Sequence, residues 1–182
     1  MRPPGHHAAR NRLGGFCYFN SIAIACLKSL KENAGIGKVA IIDFDCHHGN
    51  GTEDIMFGKK EFYYLSMHQS PLYPGTGLRS RGNCRNVPVA GGTGPDRYLS
   101  LLRDELKAVE EFKPDLIAVS AGFDSYKLDP IAGLSLEAET YAEIGRMISA
   151  LDRPTFAVLE GGYSRDLPEC VYRFLAGLEG DK

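Results

Sequence analysis

The sequence predicts an α/β protein: three layers, α/β/α, built around a mostly parallel sheet. Two patterns predict it. Four short segments, 39–45 (VAIIDFD), 62–68 (FYYLSMH), 115–121 (DLIAVSA) and 155–160 (TFAVLE), are nearly continuous in apolar character and rich in β-branched and aromatic residues. That is the signature of strands buried on both faces. Longer segments with apolar residues at helical spacing lie between them, and such alternation builds a parallel sheet with helices on both sides.

In chain order, a first helix is expected over 20–33, opened by Asn20, whose side chain suits an N-cap. The strand at 39–45 follows, then the strand at 62–68. Residues 69–95 are dense in Pro and Gly and read as a long irregular segment of the kind that carries function. Leu99, Leu102, Leu106 and Val109 mark a helix over 96–112. Leu136, Tyr141, Ile144, Ile148 and Leu151 mark another over 136–151, and a last helix covers 166–178.

Composition narrows the function. The 182 residues suit one domain, 1–182, large enough to bury a sizeable core. With 43% apolar residues, 24% charged and a net charge of −2, the chain lacks the basic face that nucleic-acid binding requires. No apolar run reaches the roughly 20 residues needed to span a bilayer, and the first residues carry no secretory pattern. Five cysteines without a CxxC pair argue against a disulfide framework and for a reducing cytoplasm. Cys17 and Cys46 read as small buried hydrophobes.

All four predicted strands end in polar residues: Asp45 and His47, Ser66 and His68, Gly122-Phe123-Asp124, and Glu160-Gly161-Gly162-Tyr163. Ligands of open parallel sheets bind beyond the carboxyl ends of the strands. Asp45 and His47 are two apart, so an extended backbone would project both from one face. With Asp124 they form a candidate site of one imidazole and two carboxylates, a set suited to metal-assisted hydrolysis and compatible with Fe(II). His6 and His7 follow a rigid Pro3-Pro4-Gly5 turn and offer a general base and an acid partner. Phe16 is a candidate wall of an apolar passage to the metal. Tyr163, after two glycines, is a candidate oxyanion donor.

The segments RPPGHHA (2–8), GFCYFN (15–20), IDFDCHHGNGT (42–52), SMH and PGTG within 66–77, SAGFD (120–124), DP (129–130) and LEGGY (159–163) resemble the zinc-dependent histone deacetylases. The resemblance is to the class II-like and bacterial acetylpolyamine-amidohydrolase branch of the arginase–deacetylase superfamily, and the motifs run in the family's order along nearly the whole chain. It implies that Asp45, His47 and Asp124 hold zinc, that His6 and His7 are the tandem histidines with His7 the base, and that Tyr163 binds the carbonyl oxygen. It implies further that Asp43 orients His6, that Asn50 sits beside His7, and that Gly15 and Phe16 contact substrate. A structural potassium ion would use Asp43, Asp45, His47, Ser66 and Met67. The implied substrates are acetyl-lysine in proteins or acetylpolyamines.

Members of that family carry a large segment ahead of RPPGHHA, which supplies early strands and part of the substrate rim. A chain that starts at the motif is read as a truncated frame; the alternative, a minimal natural form, would leave a sheet edge and apolar surface uncovered and so invite a homo-oligomer. The competing expectation is an inactive, binding-only remnant of the deacetylase fold. A binuclear manganese hydrolase would need more Asp and His ligands than these three.

Overall fold

The computed structural model describes residues 3–180, so Arg2 of the RPPGHHA motif lies outside the described residues. The elements in order are α1 (Ser21–Glu32), β1 (Val39–Asp43), α2 (Asn50–Met56), β2 (Phe62–Gln69), β3 (Cys84–Val89), α3 (Pro95–Phe112), β4 (Leu116–Ala121), α4 (Ala138–Ser149), β5 (Thr155–Leu159) and α5 (Leu167–Glu179). The strands form one five-stranded sheet in the order β3-β2-β1-β4-β5. Every pairing is parallel.

Side chains of the central strands alternate between two cores. On one face Ala40, Ile42, Ile117 and Val119 pack with Leu102 and Val109 of α3, Ile144 and Ile148 of α4 and Phe174 of α5. On the other, Val39, Ile41 and Ala118 pack with Ile22, Ala23 and Cys26 of α1 and Met56 of α2. Burial on both faces is why β1 and β4 lack the polar–apolar alternation of a half-exposed strand.

α1 begins where the sequence places it. Asn20 accepts a hydrogen bond from the Ala23 amide and closes the first turn. The Pro/Gly-rich stretch 69–95, expected to be irregular throughout, contains β3. Its Arg85, Asn86 and Pro88 hide the strand signal, and the same residues suit an edge: Pro88 offers no N–H, and Arg85 is exposed in an ion pair with Glu105. α2 was hidden because its first turn falls inside the Asp/His motif. β5, expected to be buried on both faces, is only half-covered, with Ala157 exposed. Its residues touch both cores, Leu159 the first and Phe156 and Val158 the second, but none is fully buried.

β1 is the point where the sheet's strand order reverses: β2 and β3 lie to one side, β4 and β5 to the other. A crevice opens at such a point beyond the carboxyl ends of the central strands. The polar strand ends converge there.

Candidate active site

The chain leaves β1 at Asp43, and Asp45 and His47 lie in the bend that follows rather than on extended backbone. The same-face argument for the pair therefore fails, yet the residues still meet. Asp45 Oδ1 accepts from the His47 amide at 2.9 Å and lies 3.1 Å from His47 Nδ1. Asp124, just past β4, places Oδ2 3.0 Å from the same nitrogen. One donor atom from each of Asp45, His47 and Asp124 lies within 4.8 Å of the others, and all three residues are buried. The two carboxylates are further fixed from the backbone: the Cys46 amide donates to Asp124 and the Gly161 amide to Asp45, each at 2.8 Å. A side chain at position 161 would overlap both carboxylates, so only glycine lets β5 approach them.

The electrostatics of this trio point to a cation. Burial works against a charged imidazole, but hydrogen bonds donated to Asp124 and Asp45 outweigh it and raise His47 to about 10. Burial also raises the Asp45 carboxyl, but the His6 charge and the His47 hydrogen bond hold it below the usual carboxylate range. Burial and the Asp45 charge then drive Asp124 upward. Two buried carboxylates around one nitrogen carry more negative charge than that imidazole neutralises, so the arrangement could hold a divalent ion in place of the shared proton. One nitrogen and carboxylate oxygens fit zinc or Fe(II).

His6 and His7 stand beside the trio with ring centroids 4.1 Å apart. His6 Nδ1 is 3.0 Å from Asp43 Oδ2, which also accepts from the Tyr64 hydroxyl at 2.8 Å. Burial opposes a charge on His6, yet Asp43, Asp45 and Glu160 together raise it well above the ordinary value. His7 is lowered to about 3, first by burial and then by the His6 charge. Its Nδ1 lies 2.7 Å from Asn50 Oδ1, an acceptor, so Nδ1 carries the proton and Nε2 keeps a free lone pair. The surroundings thus bias His6 toward the imidazolium and His7 toward the neutral ring.

An open pocket of about 290 Å³ lies above these groups; Phe16, Tyr73, Ile131 and Tyr163 are among its lining residues. Phe16 is 69% exposed and holds φ at +64°, a strained value for an aromatic residue and one that clusters at ligand sites. Its ring is 6.2 Å from that of Tyr163. Asp129 accepts from the Tyr163 amide at 2.7 Å and, on its other oxygen, from the Ile131 amide at 3.0 Å. Asp43 and Ser66 are register partners on β1 and β2, both fully buried, with Met67 next in the strand. The Ser66 hydroxyl is 3.0 Å from His68 Nδ1. Burial holds the Cys17 thiol up to about 11 and raises Cys46, so both are inert near neutral pH.

The sequence profile of the histone deacetylase domain matches residues 1–178. The chain belongs to the histone deacetylase domain family. A probable deacetylase of Methanothermobacter thermautotrophicus is 43% identical over 195 residues, which covers all of this chain and 58% of that protein. Acetylpolyamine amidohydrolase 1 of Pseudomonas aeruginosa is 38% identical, covering 90% of this chain and 49% of its own length. The crystal structure of an acetylpolyamine aminohydrolase from Burkholderia pseudomallei superimposes with a TM-score of 0.91 at 34% identity, over 98% of this chain and 55% of that one. The chain thus spans about half the length of these relatives.

Three residues in or behind the deacetylase-family pocket have no role in the sequence reading, and of these only Tyr73 lines the pocket. Tyr73 lines the pocket and packs edge-on against His7, ring centroids 5.0 Å apart. The only available signal was its place in the Pro/Gly-rich segment. Asp129 was visible only as part of the DP motif. Glu160 was seen as a polar strand end and given no task. His48, adjacent to the metal-ligand candidate His47, turns the other way and meets Thr76 at 2.8 Å and Glu53 at 2.9 Å.

Proposed function

We propose that this chain carries the reaction centre of a zinc-dependent deacetylase that hydrolyses the N-acetyl amide of acetyl-lysine or of an acetylpolyamine. The observation that carries the reading is the His7 ring, held at Nδ1 by Asn50, standing beside the convergent donors of Asp45, His47 and Asp124. Those three residues would hold zinc, with Fe(II) as the alternative. When bound there, the ion supplies Lewis acidity toward the amide carbonyl and toward water.

The chain's own groups supply the remainder. His7 Nε2 takes the proton from the attacking water, because Asn50 keeps the other ring nitrogen protonated. The same nitrogen then returns that proton to the departing amine. His6, held as an imidazolium by Asp43, places a fixed positive charge beside His7 and keeps it a base. The Tyr163 hydroxyl donates to the oxygen on which charge develops, a contribution typically worth about 3 kcal/mol. Gly15 lets the backbone pass close over His7, and Phe16 forms one wall of the passage for the acylated side chain. A structural potassium ion would draw on Asp43, Asp45, His47, Ser66 and Met67, supported by the buried register pair Asp43–Ser66.

Among the described residues no helix is long and apolar enough to cross a membrane. The functional reading is tested by hydrolysis of a fluorogenic acetyl-lysine peptide and of N-acetylputrescine by the zinc-loaded chain. Turnover that falls roughly 10²–10³-fold in Tyr163→Phe supports it. One bound zinc with no turnover on either substrate leaves the binding-only remnant as the correct description.

A further inference from the structure

Glu160 is fully buried directly after β5, and the mechanism above gives it no part. Its Oε2 accepts two consecutive backbone amides, Gly5 at 2.6 Å and His6 at 3.1 Å. Its Oε1 accepts from the Ser120 hydroxyl of β4 at 3.1 Å, and its own amide donates to the Ala121 carbonyl at 2.9 Å. The carboxylate therefore joins the ends of two neighbouring strands to a turn more than 150 residues away. The other side of the His6 peptide is held as well: its carbonyl accepts the amides of Gly51 and Thr52, both at 3.0 Å. Burying a carboxylate costs several kcal/mol unless its lone pairs are satisfied, and here the satisfying donors are the two amides that lead into the histidine pair.

We infer that Glu160 is a positioning residue for the tandem histidines, fixing the Gly5–His6 peptide and through it the placement of both imidazoles beside Asp45 and His47. The side chains of His6 and His7 are steered by Asp43 and Asn50, but neither partner sets where their backbone lies. Glu160 and the first turn of α2 do so from opposite sides. The role rests on the proposed hydrolase reading only in the consequence it has for catalysis; the anchoring stands apart from it.

The hydrogen-bond chemistry supplies a discriminating pair of variants. Glu160→Gln keeps an oxygen acceptor for both amides and turns an NH2 toward Ser120, whose hydroxyl can accept. Glu160→Ala removes the acceptor. The zinc-loaded chain is compared with both by amide hydrogen exchange of Gly5 and His6, by zinc stoichiometry, and by kcat and KM on the acetyl-lysine peptide. The expected result is slow exchange at both amides in the parent and in Glu160→Gln, and fast exchange in Glu160→Ala. In Glu160→Ala, kcat falls about 10²-fold with KM and the single zinc unchanged, the scale of loss that an ångström-sized misplacement produces. Glu160→Gln stays within about threefold of the parent. If Glu160→Ala does not fold, Glu160→Asp, one methylene shorter, takes its place with the same expected signature. Unprotected Gly5 and His6 amides in the parent, or protection that survives in Glu160→Ala, overturn the inference, as does a Gln variant as impaired as the Ala variant. A parent chain without turnover sinks the hydrolase reading alone, and the exchange data then decide the anchoring.

Discussion

Phe44 and Phe123 meet edge to face, with ring centroids 5.7 Å apart and planes at 83°. Phe44 sits between Asp43 and Asp45, and Phe123 immediately precedes Asp124, so the pair joins the two loops that bear the carboxylates. Both rings are buried in a cluster with Tyr141 and Phe174. An aromatic pair adds about 0.5–1.5 kcal/mol beyond area burial. Phe123→Leu is expected to lower stability by about 1–3 kcal/mol and to weaken zinc binding through misplacement of Asp124. Urea denaturation with and without zinc checks this. A variant destabilised equally with and without the metal would show that the ring supports the core and not the ligand loop.

The same trio predicts a metal effect on stability. An ion that binds only the folded chain stabilises it by about 2.7 kcal/mol at a concentration one hundred times its Kd. For a chain of this size that is roughly 5–10 °C in Tm. Zinc is therefore expected to raise the melting temperature of the parent by that amount and to leave His47→Ala unmoved. Calorimetric titration should give one zinc per chain for the parent. An undiminished zinc shift in His47→Ala would remove Asp45, His47 and Asp124 as the ligand set.

How much of this was legible in the sequence follows from the physics of each residue. The carboxylates and histidines stood out because they interrupt or end apolar strands, where polar groups are costly. The parallel sheet was legible because doubly buried strands are nearly continuous in apolar character. Glu160 was visible but mute, since its partners, the Gly5 and His6 amides, become neighbours only when β5 lies beside β4. Tyr73 shares that fate: no local pattern announces a ring that packs against His7. β3 was concealed by the residues that make it a tolerable edge, and the half-covered state of β5 depends on neighbours that periodicity does not describe.

Gly15 offers a further test. It holds φ at +54°, and a Cβ at this position would run into the His7 ring. Gly15→Ala faces both left-handed strain, about 1 kcal/mol, and a steric push on the proposed base. The expected outcome is a loss of about tenfold or more in kcat with zinc stoichiometry unchanged, because the atoms nearest an added Cβ all belong to His7 and not to a metal-ligand candidate. Steady-state kinetics beside a zinc assay check it. Loss of zinc together with activity would mean that the substitution disrupts the whole pocket instead of moving His7.

Acid stability is set in part on the far side of His47, where Glu53 is buried. It accepts from Asn86 Nδ2 at 2.6 Å, pairs with Arg81, and lies 2.9 Å from His48 Nε2. Burial alone would raise this carboxyl, but the hydrogen bonds from His48, Asn86 and Arg81 lower it to about 2, against 4.5 for an unperturbed glutamate. A carboxyl depressed in the folded state binds fewer protons than in the unfolded chain between those two values, so stability falls as pH drops through the interval. The contribution is complete above pH 4.5 and gone near pH 2. Glu53→Gln removes it and turns an NH2 toward donors, so the variant should be less stable than the parent at neutral pH. The gap should hold constant down to about pH 4.5 and then close. Urea unfolding of both chains at several pH values between 7 and 2 reads this directly. Parallel stability curves through the acid range would show that Glu53 titrates as an ordinary carboxyl and that its partners contribute packing alone.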